Sequence, residues 1–269
     1  MKIGYFSYSA IGADAVSLLP KLAEFGYKTV ELATWEEEPF SPELLGTGGS
    51  RKLKRELDTS GLSVSALACH TTFVYSEVAK KQERIDWFRR RAELAAELET
   101  DILTTATGPV PENLSAVTSW DQLVEVTGAI LDAIENFGMR LAIEVHAHPG
   151  EWTGHLVDIL RLLDAHPGKS RLGVNLDCSH FIVNGDGWKQ AATVLIPRTI
   201  HVHLKGMKGK EFTNCGDSDD DFPAQGLIAM LQSAGYTGAI SVENIPAKNW
   251  SKKAMVSARY LKGIISENR

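Results

Sequence analysis

Three things are scarce in this sequence: cysteine, long apolar runs and an excess of positive charge. The only cysteines among its 269 residues are Cys69, Cys178 and Cys215, and an odd number without a CxxC pair argues against a disulfide framework. No segment approaches the roughly 18 consecutive apolar residues that a membrane span requires. The formal net charge of −6 disfavours binding to duplex nucleic acid, which needs a basic face. We therefore expect neither a membrane nor a nucleic-acid partner.

The amino terminus also lacks the features of a secretory leader. The stretch "MKIGYFSYSAIGADA" enters a short apolar run without a long apolar core or a small-residue cleavage site. Unpaired cysteines are usual in a reducing compartment. The sequence therefore predicts a cytoplasmic protein.

The sequence does contain a series of eight short apolar or β-branched runs. They begin at Lys2, Lys28, Leu62, Asp101, Met139, Arg171, Arg198 and Gly238. Successive starts are 26 to 40 residues apart, which is enough for a helix and two loops between parallel strands. Apolar residues between the runs recur at helical spacing, as at Leu123, Val126 and Ile130. Eight such units without a linker predict an α/β fold, a single (β/α)8 TIM barrel domain over residues 1–269.

An open, doubly wound sheet is the alternative architecture for strands that alternate with helices. That fold usually carries a glycine-rich phosphate-binding turn after its first strand. The first run here continues as "SYSAIGADA", which is not such a turn. The barrel is therefore favoured.

Carboxylates and imidazoles stand at the ends of the last four predicted strands. The fifth ends in "AIEVHAH", the sixth in "NLDCSH", the seventh contains "HVHLK" and the eighth ends in "SVENI". In a TIM barrel these ends share the face on which active sites lie. Buried carboxylates that converge there would repel one another unless a cation compensates. We therefore predict a divalent-metal site formed by Glu144, Asp177, His203 and Glu243.

Three carboxylates and one imidazole make a hard, oxygen-rich donor set. Such a set suits Mn²⁺, Mg²⁺ or Co²⁺ better than a closed structural Zn²⁺ site, although Zn²⁺ is compatible with it. Taken singly, a glutamate at a strand end is usually solvated, and an inward histidine is usually a hydrogen-bonded core residue. The joint pattern over four consecutive strands is what favours a metal centre.

These motifs resemble those of the sugar isomerase/epimerase superfamily with the xylose-isomerase-like TIM barrel, which includes ketose 3-epimerases, hydroxypyruvate isomerase and inosose dehydratase. The resemblance is strongest in "AIEVH", "LDCSH" and "HVHLKG". It implies that the metal is bound by four residues of strands five to eight, here Glu144, Asp177, His203 and Glu243. It also implies a substrate contact for His180. The chain departs from the ketose 3-epimerases after the HxH motif, where "LKGMKGKEF" replaces their glycine–glutamate and nearby arginine.

The predicted reaction is proton transfer beside the carbonyl of a keto sugar. The metal polarises the carbonyl and stabilises an enediolate. Glu144 and Glu243 come from strands three apart in the ring, so we expect one to remove a proton and the other to return one on the opposite face. Elimination of a leaving group from the same intermediate would make the enzyme a lyase or dehydratase.

Four more residues are predicted on the substrate side of the site. His180 and Lys205 are expected to contact a substrate hydroxyl or a developing oxyanion. His70 and His146 are expected to line the same site, with a solvated loop histidine as the alternative for His146 and a surface lysine as the alternative for Lys205. His201 lies on the same strand face as His203. It is expected to help to orient the metal-binding residues without binding the metal itself.

Two further features lie near the predicted strand ends. Trp35, Trp152, Trp188 and Trp250 fall in or near loops or early helices, where aromatic faces suit the C–H faces of sugars. Residues 206–221, "GMKGKEFTNCGDSDDD", are rich in glycine and charge and are predicted to form a mobile loop that closes over the substrate.

Three functions are consistent with this sequence. A metal-dependent isomerase or epimerase of a sugar or polyol derivative leads. A lyase or dehydratase on a keto-inositol or 3-keto-glycoside would use the same site, and a non-enzymatic sugar-binding barrel is third. DNA repair of the endonuclease IV type ranks below them, because strand four ends "TTATG" without a histidine. The oligomeric state is open, and a homo-oligomer is compatible with the sequence.

Overall fold

Eight parallel strands close into a barrel in the computed structural model, which describes residues 1–77 and 80–267. The barrel strands are β1 (Lys2–Phe6), β2 (Thr29–Ala33), β3 (Ser63–Ala68), β4 (Ile102–Thr105), β5 (Arg140–Glu144), β6 (Leu172–Asp177), β7 (Thr199–Leu204) and β10 (Ala239–Val242). They follow the order β1-β10-β7-β6-β5-β4-β3-β2 around the ring. Each lies within one of the eight predicted runs, so the predicted TIM barrel is confirmed.

Helices connect the strands on the outside of the barrel. They are α1 (Ala15–Phe25), α2 (Pro42–Leu45), α3 (Gly49–Ser60), α4 (Lys80–Glu97), α5 (Ala116–Glu135), α6 (Leu156–Asp164), α7 (Cys178–Asn184), α8 (Trp188–Leu195), α9 (Ala224–Ser233) and α10 (Trp250–Glu267). The stripe Leu123, Val126 and Ile130 is buried on α5, as its spacing predicts. Within the described ranges, none of the helices is both long and apolar enough to cross a membrane.

The strands separate an apolar outer layer from a polar interior. Along β7, Val202 and Leu204 belong to the apolar core between barrel and helices. His201 and His203 alternate with them and lie inside the barrel, where both approach Glu31 of β2. The period-two alternation of strand side chains therefore holds, and it concentrates polar groups in an interior that many barrels fill with branched apolar residues.

The segment predicted as a mobile loop, residues 206–221, contains a hairpin in the structure. Strands β8 (Gly206–Lys208) and β9 (Glu211–Thr213) pair in antiparallel fashion. Asp220 binds the hairpin base, because its carboxylate accepts hydrogen bonds from the backbone N–H groups of Met207 at 3.0 Å and Gly216 at 2.7 Å. Asp220 of the acidic run therefore accepts hydrogen bonds from backbone N–H groups.

Candidate active site

Four side chains from neighbouring strands meet at the carboxyl end of the barrel. One atom from each of Glu144, Asp177, His203 and Glu243 lies within 4.8 Å of the others. Strand register explains the meeting: Asp177 lies opposite His203, and Ser241 lies on the other side of His203, so that Glu243 follows one pleat later. The structure thus brings together all four predicted metal ligands.

His203 is the centre of this quartet. Its Nδ1 lies 3.2 Å from Glu144 Oε1 and 2.9 Å from Glu243 Oε2, while its Nε2 lies 2.7 Å from Glu31 Oε2. Burial alone would lower the pKa of His203, but Glu31 and Glu144 hold that pKa well above its usual range. Because Nε2–H donates a hydrogen bond to Glu31, Nδ1 is the ring nitrogen that a metal ion would use.

The carboxylates of the quartet differ in how well they are paired. Burial would raise the pKa of Glu144, but His203 holds it well below its usual range. Burial raises the pKa of Asp177, because Lys205 offsets the desolvation only in part. Asp177 Oδ1 accepts from the backbone N–H of Ser179 at 2.9 Å, whereas the buried Oδ2 has no hydrogen-bond partner among the described residues. A divalent ion would satisfy this oxygen, so the donor set fits the predicted metal.

Lys205 and His180 form a pair of converging donors next to the quartet. Lys205 Nζ lies 3.0 Å from Glu243 Oε1, 3.3 Å from Asp177 Oδ2 and 2.9 Å from His180 Nε2. Burial would lower the pKa of Lys205, but Glu243 and Asp177 raise it, so the ammonium can only donate. With its side chain 11% exposed, Lys205 is not the surface residue of the alternative interpretation.

The hydrogen bonds of His180 fix which nitrogen carries its proton. Nδ1 accepts from the backbone N–H of Ala147 at 3.0 Å, so the proton of the neutral ring is on Nε2. Burial and Lys205 hold the pKa of His180 well below its usual range, which keeps the ring neutral. Two donors, Nε2–H and the ammonium, therefore lie next to each other, and a substrate oxygen that contacts both nitrogens would accept from both.

His70 and His146 complete the polar side of the site. Their Nε2 atoms lie 3.7 and 3.8 Å from Glu144 Oε2. Burial lowers the pKa of His70 to about 4. His146 is not a solvated loop residue, because its side chain is 16% exposed and its Nδ1 lies 3.4 Å from Glu151 Oε1.

A cavity of about 510 Å³ opens above these groups. Its polar lining includes His70, His146, His180, Lys205 and Glu243. Its apolar wall is formed by Phe6, Tyr8, Trp35, Phe212, Ile245 and Pro246. A cavity lined by apolar and aromatic side chains with a few polar groups among them is typical of small-molecule sites.

Of the four tryptophans singled out in the sequence, Trp35 is the one that lines this cavity as far as the described residues show. Trp250 packs against Tyr5 with ring centroids 6.2 Å apart, and Trp188 packs against Phe222 at 6.1 Å. Trp152 packs against Trp120 at 5.6 Å. Trp152, Trp188 and Trp250 are therefore packing residues, since each contacts a neighbouring aromatic side chain.

Glu31 of β2 has no role among the functional residues predicted from the sequence. Glu31 accepts from Thr104 Oγ1 at 2.7 Å through Oε1, and its Oε2 lies 2.9 Å from His201 Nε2. Burial would raise the pKa of Glu31, but His203 and His201 hold it well below its usual range. His201, which also contacts Ser241 Oγ at 3.0 Å, lies one layer below the quartet. A glutamate inside the apolar run "TVELA" is the signal that could have indicated this partner.

Comparison with known proteins agrees with this architecture. The family model of the xylose isomerase-like TIM barrel matches residues 19–263. The chain is 23% identical to the inosose isomerase of Halalkalibacterium halodurans over 250 residues, which cover 90% of this chain and 87% of that protein. The name of this relative identifies it as an isomerase, and isomerases are enzymes.

Solved structures also share the fold over the whole chain. A D-tagatose 3-epimerase-like protein superposes with a TM-score of 0.82 at 18% identity and 100% coverage of both chains. The IolI protein with a bound zinc atom superposes with a TM-score of 0.83 at 16% identity, covering 100% of this chain and 99% of that one. With the family model matching nearly its full length, this chain belongs to the xylose isomerase-like TIM barrel family.

Proposed function

We propose that this protein is a divalent-metal-dependent isomerase or epimerase that moves a proton beside the carbonyl of a sugar or polyol derivative. The observation that carries the proposal is the meeting of three carboxylates and one imidazole within 4.8 Å at the floor of a cavity of small-molecule size. A pure binding protein has no need of such a set. The isomerase relative supports the same class of reaction.

Glu144, Asp177, His203 and Glu243 would hold the metal ion. When bound, the ion supplies Lewis acidity, which polarises a carbonyl and stabilises negative charge on its oxygen. The donor set favours Mn²⁺, Mg²⁺ or Co²⁺, and Zn²⁺ also fits it. Glu31 positions His203 through its Nε2 contact, which leaves Nδ1 facing the carboxylates.

Glu144 and Glu243 are the proposed proton carriers. Glu144 ends β5 and Glu243 follows β10. These strands stand three apart in the ring, on opposite sides of the strand that carries His203. One carboxylate can therefore remove a proton from carbon while the other returns a proton to the opposite face. General acid–base help of this kind accelerates reactions by about 10² to 10⁴-fold.

His180 and Lys205 are the proposed contacts to a substrate oxygen. Their two donor nitrogens lie 2.9 Å apart, and an oxygen that acquires negative charge would accept from both. The apolar wall around a bound sugar would exclude water from the reacting carbons.

The test is carbon-bound deuterium exchange in D₂O, followed by NMR over a panel of keto sugars and keto-inositols. We expect exchange without net loss of water from the metal-loaded protein, and none after chelation. Asp177→Asn should abolish the exchange, whereas Glu211→Gln on the exposed hairpin should leave it unchanged. Absence of exchange with every member of the panel on a fully metal-loaded protein would contradict the proposal.

The apolar wall favours a second candidate, a lyase acting on a 3-keto-glycoside. Tyr8 and Ile245 are 40% and 43% exposed at the mouth, and Phe212 and Trp35 continue the wall inward. An apolar aglycone would cover this surface better than a free sugar does. Release of the aglycone from a 3-keto-glycoside, in place of exchange alone, would identify this reaction.

A further inference from the structure

A second group of ligand-type side chains faces the outer oxygen of Glu144. His70 Nε2 and His146 Nε2 lie 3.7 and 3.8 Å from Glu144 Oε2, and one atom from each of the three residues lies within 4.8 Å of the others. Glu144 Oε1 points the other way, 3.2 Å from His203 Nδ1. The two oxygens of one carboxylate therefore serve two different groups of residues.

Distances separate this group from an ordinary hydrogen-bonded cluster. His203 and His201 approach Glu31 Oε2 to 2.7 and 2.9 Å, which are direct hydrogen bonds. The separations of 3.7 and 3.8 Å at Glu144 are too long for hydrogen bonds. They are close to the edge of about 3.4 Å in a tetrahedron whose ligands lie about 2.1 Å from zinc.

The ligand atoms of this group are available to an ion. His70 Nε2 is buried without a hydrogen-bond partner among the residues that the structure describes. Glu144 Oε2 accepts one bond, from Asn175 Nδ2 at 3.2 Å, and an oxygen of a carboxylate has a second lone pair. One face of the group borders the cavity.

His146 is held in the orientation that a metal ligand needs. Its Nδ1 lies 3.4 Å from Glu151 Oε1, and a carboxylate on one ring nitrogen directs the other nitrogen toward a metal ion. The His70 ring lies between Phe6 and His146, with centroids 6.3 and 5.4 Å away. Packing thus limits the movement of both imidazoles.

We propose that His70, His146 and Glu144 form a second metal site of the zinc class, which shares Glu144 with the quartet. Two imidazoles and one carboxylate with an open fourth position are a donor set typical of zinc. A consequence rests on the proposed function: an ion on Oε2 withdraws Glu144 from proton transfer. Excess Zn²⁺ should therefore inhibit the exchange reaction.

Equilibrium dialysis of metal-free protein against Zn²⁺, with the ions per chain counted by mass spectrometry, tests the second site without an activity assay. We expect two ions per chain in the wild type and one in each of His70→Ala, His146→Ala and Asp177→Asn. The matched control is His148→Ala, which removes an imidazole from the same loop and cavity and should keep two ions. Circular dichroism checks that each variant folds, and His70 and His146 lie on different loops, so that either variant alone suffices.

The outcomes distinguish this inference from the proposed function. A single ion that is lost in Asp177→Asn but kept in His70→Ala and His146→Ala overturns the second site and leaves the quartet intact. Two ions that persist in both histidine variants also overturn it. A single ion that is kept in Asp177→Asn but lost in the histidine variants supports the second site and contradicts the quartet on which the proposed function depends.

Discussion

Two clusters of carboxylate and imidazole meet at His203, and they differ in how completely their polar atoms are paired. In the lower cluster, Glu31 uses Oε1 for Thr104 and Oε2 for His201 and His203, all at 2.7 to 2.9 Å. In the upper cluster, the buried Asp177 Oδ2 lacks a hydrogen-bond partner within the described residues. The same residue types thus form a fully paired cluster below and the proposed reactive site above.

The difference follows from where each cluster lies in the barrel. Glu31 is fully buried and does not line the cavity, so its charge must be matched by fixed neighbours. Glu243 and Lys205 border the cavity, where an ion or a substrate can supply the missing partner. Incomplete pairing of buried groups is therefore the feature that separates a site from its scaffold. Removal of one group at a time shows which cluster that group belongs to.

The largest effect is expected for Glu243→Gln. The amide keeps the shape of the side chain but cannot carry a proton, so the exchange rate should fall by about 10² to 10⁴-fold. Stability should change less than in Glu31→Ala, because Glu243 borders the cavity and the amide oxygen can still accept from Lys205. Exchange measured by NMR together with urea unfolding checks both halves. A variant that unfolds more easily but retains the rate would place Glu243 in the scaffold.

Glu31→Ala, in contrast, should act mainly on the free energy of unfolding. Removal of a fully buried partner of two imidazoles should lower the free energy of unfolding by about 3 kcal/mol, near the lower end for buried pairs because the imidazoles can lose their protons. Glu31→Gln, which keeps an acceptor oxygen, is the matched control and should cost less. Urea unfolding of the metal-free proteins measures the difference. A loss below about 1 kcal/mol for Glu31→Ala, the usual value of a single hydrogen bond, would contradict the supporting role.

Much of the upper cluster could be predicted from the sequence, because its residues terminate strands. A carboxylate at the end of an apolar run marks a loop at the active-site face of a barrel, and Glu144, Asp177 and Glu243 all have this mark. The lower cluster depends on relations that a sequence does not display. Glu31 meets His203 across the barrel, and the register shift between Val30 and Glu31 helps to set the depth at which it lies.

The apolar wall and the hairpin were harder to predict for the same reason. Phe212 reaches His180 at 5.1 Å between ring centroids only because β8 and β9 fold back over the strand ends. The composition of residues 206–221 is that of a loop, and the backbone bonds to Asp220 that give it structure involve residues several positions apart. Glycine and aspartate there indicated mobility but serve tight turns and backbone acceptors.

Thr104→Val tests the edge of the lower cluster. The substitution removes the hydroxyl that donates to Glu31 Oε1 at 2.7 Å and keeps the volume, so stability should fall by about 1 kcal/mol. The exchange rate should fall by less than it does in Glu243→Gln, since Glu31 still contacts both imidazoles. Thermal unfolding and the exchange assay together measure the two effects. A rate loss as large as that of Glu243→Gln would show that the two clusters act as one unit.

The smallest effect, and one of opposite sign, is expected for Asp177→Asn in the metal-free protein. Burial raises the pKa of Asp177 in the folded state, so the folded protein binds this proton more tightly than the unfolded chain does. Stability is then lost as pH rises from the unfolded pKa, about 3.9, through the raised folded value.

Asparagine removes that penalty, and its side-chain oxygen can still accept from the Ser179 N–H at the start of α7. The variant should therefore match the wild type below about pH 4 and be more stable than it at neutral pH, as measured by urea unfolding in chelator. A variant less stable than the wild type at pH 7 would mean that Asp177 is already compensated by Lys205, and the contrast between a satisfied and an unsatisfied cluster would fail at this residue.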